Sequence, residues 1–106
     1  MNQEMLPSPR EAAILDILIN GELYGRQIRD EYEKRTRTKL SLGSLYVTLN
    51  RMETDGLIES RMGETTTIRV DNRRKYFNIT GLGERVLHSF QIHLVNAMGG
   101  RLRCVT

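Results

Sequence analysis

Apolar residues recur at helical spacing in four stretches of this chain and at strand-like spacing in two. Ile14, Leu15 and Leu18 form the first stripe. Ahead of it, Ser8-Pro9-Arg10-Glu11 has the form of a capping box with proline in the first turn. Gly21 is a natural stop, so the pattern predicts a helix over about residues 8–20. Gly21 to Gly25 reads as a turn. From Gly25 to about Arg35 the residues are mostly polar, with Ile28 and Tyr32 one helical turn apart, which predicts a short helix with one narrow apolar edge.

Ser41 is a capping residue for a third helix running to about Asp55, with Leu42, Leu45, Leu49 and Met52 as its buried stripe and Gly56 as its end. Leu57–Met62 alternates loosely, and Arg73–Ile79 carries Tyr76, Phe77 and Ile79. With the polar stretch Gly63–Asn72 between them, these read as a hairpin with a long tip. Thr80 then caps a fourth helix with a broad apolar face of Leu82, Val86, Leu87, Phe90, Leu94, Ala97 and Met98, ended by Gly99-Gly100. The predicted fold is mainly α with a small β-hairpin: a winged helix-turn-helix over residues 1–79, a C-terminal dimerisation helix over 80–100, and a mobile basic tail over 101–106.

Charge turns this outline toward a partner. With 106 residues the chain makes one small domain with limited core, for which dimerisation is a common remedy. The net charge is only +3, so the placement of the cations matters more than their number. Lys34, Arg35, Arg37 and Lys39 precede the third helix, and Arg69, Arg73, Arg74 and Lys75 lie in or near the hairpin. The acids Asp16, Glu22, Asp30, Glu31, Glu33, Glu53 and Glu59 lie mostly elsewhere.

On a helical wheel the side of the third helix opposite its leucines carries Gly43, Val47, Asn50 and Arg51, flanked by Ser44 and Tyr46, with Thr48 nearer the buried side. A helix that enters the major groove of DNA, roughly 12 Å wide, needs such a slim outer face. Serine and threonine bond to base edges or phosphates, and a tyrosine hydroxyl donates to phosphate. The residues read as helix contacts are Ser41, Gly43, Ser44, Tyr46, Val47, Thr48 and Arg51. Those read as phosphate contacts are Lys39, Arg69, Arg73, Arg74 and Lys75.

Several segments together resemble the PadR family of bacterial transcriptional regulators, across nearly the whole length of the chain. They are Leu23-Tyr24-Gly25-Arg26-Gln27-Ile28, Leu42-Gly43-Ser44-Leu45-Tyr46-Val47-Thr48-Leu49, Arg51-Met52-Glu53, Asp55-Gly56-Leu57-Ile58-Glu59-Ser60, Arg73-Arg74-Lys75-Tyr76-Phe77, and Thr80 with Gly83. The resemblance implies a dimeric winged-helix protein, usually a repressor, bound to an inverted-repeat operator in double-stranded DNA and often released by a small aromatic effector. It also implies the short form of the family, in which one C-terminal helix makes the homodimer. Two positions depart from the family pattern. Val47 stands where proline is frequent, and Asp71-Asn72 stands where glycines are common.

Other motifs lead nowhere comparable. Thr80-Gly81-Leu82-Gly83 suggests a dinucleotide loop, but Val86 occupies the third glycine position. His88 and His93 do not share a helical face, and Gly81 and Gly83 are expected to let the fourth helix pack on the wing. Cys104, the one cysteine, makes no disulfide framework or multi-cysteine zinc site. No nucleophile triad or paired carboxylates emerge, so neither an enzyme nor a cofactor or metal is expected. Without a leader-like or membrane-spanning apolar run, the expected location is the cytoplasm. Two competing classes remain: a winged helix that binds protein through the same surface, and a MarR-type regulator. The latter would want a longer N-terminal dimerisation helix.

Overall fold

A computed structural model describes residues 6–63 and 74–97 of the chain. Its elements run α1 (Pro9–Leu18), β1 (Leu23–Tyr24), α2 (Gly25–Thr36), α3 (Leu42–Thr54), β2 (Ile58–Met62), β3 (Lys75–Ile79) and α4 (Gly81–Ala97). Three of the four described helix starts follow from a capping hydroxyl. Ser8 Oγ accepts from the Glu11 amide at 3.1 Å and Glu11 Oε1 accepts from the Ser8 amide at 3.0 Å, closing the expected capping box. Ser41 Oγ accepts from the Ser44 amide at 3.1 Å. Thr80 Oγ1 accepts from the Gly83 amide at 3.0 Å. Gly56 ends the α3 turn at φ 82°, in the left-handed region that glycine tolerates.

The hairpin forms as expected, and a third strand joins it. β3 pairs antiparallel with β2 on one side, Ile58 opposite Ile79 and Met62 opposite Lys75. On its other side β3 pairs with β1, Leu23 opposite Phe77 and Tyr24 opposite Tyr76. Residues 23 and 24 therefore form an edge strand, where the sequence reads as a turn. Two residues have no periodicity to detect, and only the open edge of β3 makes them a strand.

The core gathers Ile14, Leu15 and Leu18 of α1, Ile28 of α2, Leu45, Leu49 and Met52 of α3, Ile58 of β2 and Phe77 of β3, all fully buried. α1 is buried over more than its expected stripe, Ala12 and Ile17 included, because α2, α4 and β3 all pack against it. Val86 and Leu87 of α4 join the same core. α4 is thus part of one packed unit with the preceding helices rather than an appendage to them. Burial of one large apolar side chain stabilises by about 1.5–3 kcal/mol, so this seat holds α4 in a fixed direction.

The loop between α2 and α3 is tied down at both ends. Arg37 sits at φ 58°, a left-handed conformation unusual for a non-glycine residue, and its amide donates to the Glu33 carbonyl at 2.8 Å. The Leu40 amide donates to Glu33 Oε2 at 2.6 Å, while the Leu40 side chain is buried. Glu33 therefore fixes the entry to α3 from within α2.

Candidate nucleic-acid interface

α3 is held by three fully buried side chains and leaves its opposite face open. Leu42 is half-buried, while Gly43, Ser44, Asn50 and Arg51 are exposed and Val47 is 65% exposed. Two hydroxyls of this helix are already engaged. Ser41 Oγ accepts as the cap, and Thr48 Oγ1 donates to the Ser44 carbonyl at 3.2 Å. Each retains capacity for a further bond, Ser41 as donor and Thr48 as acceptor.

Tyr46 leans off one flank. Its ring lies 6.3 Å from Phe77, and its hydroxyl rests over the backbone at Gly25, where any Cβ would collide with it. Gly25 is thereby a packing requirement of α3 placed in α2. On that flank a cleft of about 510 Å³ is lined by Tyr24, Arg26, Leu42, Tyr46 and Arg74. The Arg74 guanidinium lies 4.5 Å from the Tyr24 ring centroid, a cation–π contact, and the Tyr24 ring meets Tyr76 edge-on at 5.6 Å. On the opposite flank of α3 a second cleft of about 500 Å³ is lined by Ser8, Pro9, Arg10, Glu11, Ser44, Val47, Thr48 and Arg51.

The cations divide by whether acids hold them. Arg35 donates to Asp16 at 2.8 Å and to Glu31 at 2.9 Å, and Arg29 pairs with Asp30. Arg35, read from the sequence as one of the cations around α3, instead braces α2 against α1. The hydrogen bond from Arg61 holds the Glu22 carboxyl below its usual range, aided by Asn78 and opposed by partial desolvation. Among the described residues, Arg10, Arg26, Arg51 and Arg74 form no ion pair with an acid. All four line the two clefts beside α3. Sequence reasoning passed over Arg10, Arg26 and Tyr24, because only the fold brings them to the flanks of α3.

Lys39 is exposed at the entry to α3, and Lys75 places its ammonium 5.8 Å from the Phe77 ring. Arg69, Arg73 and Met98 lie outside the described residues, as do most of the hairpin tip and the basic tail. Of the positions assigned to a dimer interface, Val86 and Leu87 are 6% and 5% exposed within the chain's own core, and Phe90 packs against it. They are occupied by intramolecular packing. Among the described side chains of α4, Leu82, Ile92 and Leu94 are the large apolar ones left exposed. His88 is exposed, and no cluster able to hold a metal occurs among the described residues. No helix among them is long and apolar enough to cross a membrane.

The fold has counterparts in known proteins. A PadR family transcription regulator from Clostridium difficile is 28% identical, with a TM-score of 0.69 over 86% of this chain and 98% of that one. A PadR-like transcriptional regulator from Bacillus cereus is also 28% identical, with a TM-score of 0.69 over 90% of this chain and 92% of that one. PadR of Bacillus subtilis, solved in complex with operator DNA, shares the fold at 22% identity and a TM-score of 0.67, covering 91% of this chain and 50% of that one. Among curated proteins none matches significantly. The model of the transcriptional regulator PadR-like family matches residues 14–89, most of the chain. The chain belongs to the PadR-like family of transcriptional regulators, a family of regulators and not of enzymes.

Proposed function

We propose that this chain is a sequence-specific DNA-binding repressor that acts in the cytoplasm as a homodimer on an inverted-repeat operator. The observation that carries the proposal is the exposed face of α3, which is slim, mostly polar, and flanked by arginines that form no ion pair among the described residues. An α-helix with its side chains is about 10–12 Å across, which suits a groove roughly 12 Å wide. Ser44 supplies polar atoms to that groove, and the exposed Val47 supplies methyl groups of the kind that pack on a thymine methyl. The protein-binding alternative wants a continuous apolar surface on α3, and Val47 is flanked there by Gly43, Ser44, Asn50 and Arg51.

The dimer rests on the exposed Leu82, Ile92 and Leu94 of α4. Two-fold symmetry sets the two α3 helices about 34 Å apart, one turn of DNA. Release by a small aromatic compound belongs to the same reading, through the family resemblance.

Selection of bound duplexes from a random pool tests the proposal directly. The expected product is a pair of inverted half-sites with centres about one helical turn apart. Val47→Ser is expected to relax the preference at one position per half-site by about 1 kcal/mol. Enrichment of no sequence, or of a single unpaired site, would refute the dimeric operator reading.

A further inference from the structure

The two clefts beside α3 take up opposite flanks of one helix. On the helical wheel Gly43, Val47 and Asn50 mark the outward line of α3. Leu42 and Tyr46 fall on one side of it and enter the cleft with Tyr24, Arg26 and Arg74. Ser44, Thr48 and Arg51 fall on the other and enter the cleft with Arg10. A helix lying in the major groove has a sugar-phosphate backbone on each side. We propose that the two clefts are a two-sided phosphate clamp, with Arg26 and Arg74 on one backbone and Arg10 and Arg51 on the other. This rests on the DNA-binding reading above and names the residues that set the depth and register of α3 in the groove.

Three observations support the clamp. Each cleft presents two arginines, and none of the four is paired with an acid among the described residues. Arg74 is held in advance, its guanidinium 4.5 Å from the Tyr24 ring centroid. Less freedom is then lost when it bonds to phosphate. Tyr24 is itself fixed by the β1–β3 pairing and by its edge contact with Tyr76. In the other cleft the capping box takes the Ser8 and Glu11 amides and Pro9 has none to offer, so the guanidinium groups are the main anion-binding groups there. Tyr24 is a positioning residue that acts through Arg74.

The test uses the full chain and a duplex of arbitrary sequence, because phosphate contacts do not depend on base order. Binding is followed by fluorescence anisotropy across a salt series for the wild type, Arg10→Gln, Arg26→Gln, their double variant, and Arg29→Gln. Arg29 lies on α2 outside both clefts and pairs with Asp30, so its variant reports the effect of charge alone. Each phosphate contact contributes about 0.9 to the slope of log K against log salt, or roughly 1.8 for a dimer. Arg10→Gln and Arg26→Gln are each expected to lower the slope by that amount, and the double variant by the sum, with Arg29→Gln near wild type. Tyr24→Phe keeps the ring and is expected to keep the slope. Tyr24→Leu is expected to weaken binding several-fold, with little further loss on adding Arg74→Gln. Slopes for Arg10→Gln and Arg26→Gln equal to that of Arg29→Gln would overturn the clamp while leaving DNA binding standing. A wild type without salt-dependent duplex affinity would overturn both.

Discussion

Glycines 81 and 83 lie two residues apart in the first turn of α4, yet the structure makes opposite demands on them. A Cβ at Gly83 would be driven into the Leu57 carbonyl oxygen, and would stand 2.8 Å from Ile79 Cγ1 and 3.1 Å from the Leu57 carbonyl carbon. The obstacle is backbone, and it cannot turn aside freely. The Leu57 carbonyl already accepts from the Thr80 amide at 3.1 Å and shares the Thr80 Oγ1 proton, at 3.0 Å, with the nearer Gly56 carbonyl at 2.6 Å. Either those bonds break, at about 1 kcal/mol each, or α4 backs away from the sheet and loosens Val86 and Leu87. Overpacking of this kind costs about 1–3 kcal/mol, and the better helix propensity of alanine recovers up to about 1 kcal/mol. Gly83→Ala should therefore destabilise by a net of about 0–2 kcal/mol, and by about 1–3 kcal/mol relative to Gly81→Ala, which shares the propensity gain, lowering Tm by roughly 4–8 °C for each kcal/mol. At Gly81 the nearest group is Arg85 Nη1 at 3.8 Å, so Gly81→Ala should be neutral or slightly stabilising. Urea and thermal unfolding followed by circular dichroism would measure both, at one fixed protein concentration because association shifts the midpoint. A Gly83→Ala midpoint equal to or above that of Gly81→Ala would refute the packing argument.

Four other perturbations test neighbouring parts of the structure. Thr80→Val removes the hydroxyl that caps α4 and donates to the Gly56 carbonyl at 2.6 Å, and should cost about 1–3 kcal/mol in urea unfolding. Glu22 has a folded pKa below its ordinary value, chiefly through the hydrogen bond from Arg61. Its contribution is therefore complete above the unfolded carboxyl pKa of about 4.3 and is lost as pH falls through the lowered folded value. The stability gap between wild type and Glu22→Gln should accordingly narrow between pH 7 and strongly acid pH, and a gap that widens would contradict the assignment. Ile92→Asp with Leu94→Asp places charge on side chains 48% and 47% exposed in the single chain, so sedimentation should show a folded monomer. Gly25→Ala pushes the Tyr46 hydroxyl aside, and because the far end of a side chain can move, DNA affinity should fall more than stability.

The α3 part of the candidate interface is legible in the order of residues alone, because it depends on short-range chemistry. A serine cap, a leucine stripe at helical spacing and a terminating glycine fix both where the helix lies and which face is buried. The outward face then follows by subtraction. The capping box of α1, the β2–β3 hairpin and the Thr80 cap are legible for the same reason: each is written within a few consecutive residues or one periodic run.

What the sequence leaves open all depends on residues distant along the chain. β1 exists only because β3 offers an unpaired edge. Arg35 reads as a free cation beside α3, but the α1–α2 packing places Asp16 within hydrogen-bonding distance of it. Val86 and Leu87 read as available to a partner, but α4 folds back on α1 and β3 and covers them. Gly81 and Gly83 read alike as glycines that let α4 pack on the wing, but only Gly83 makes that contact, against Leu57 and Ile79. The sequence by itself determined the elements and the slim face of α3, since hydrogen bonding and burial periodicity act within a helix or hairpin. Only the tertiary structure decided which cations remain unpaired beside that face and which apolar side chains of α4 remain uncovered. Charge pairing and packing are relations between surfaces, and one stretch of chain carries only half of each.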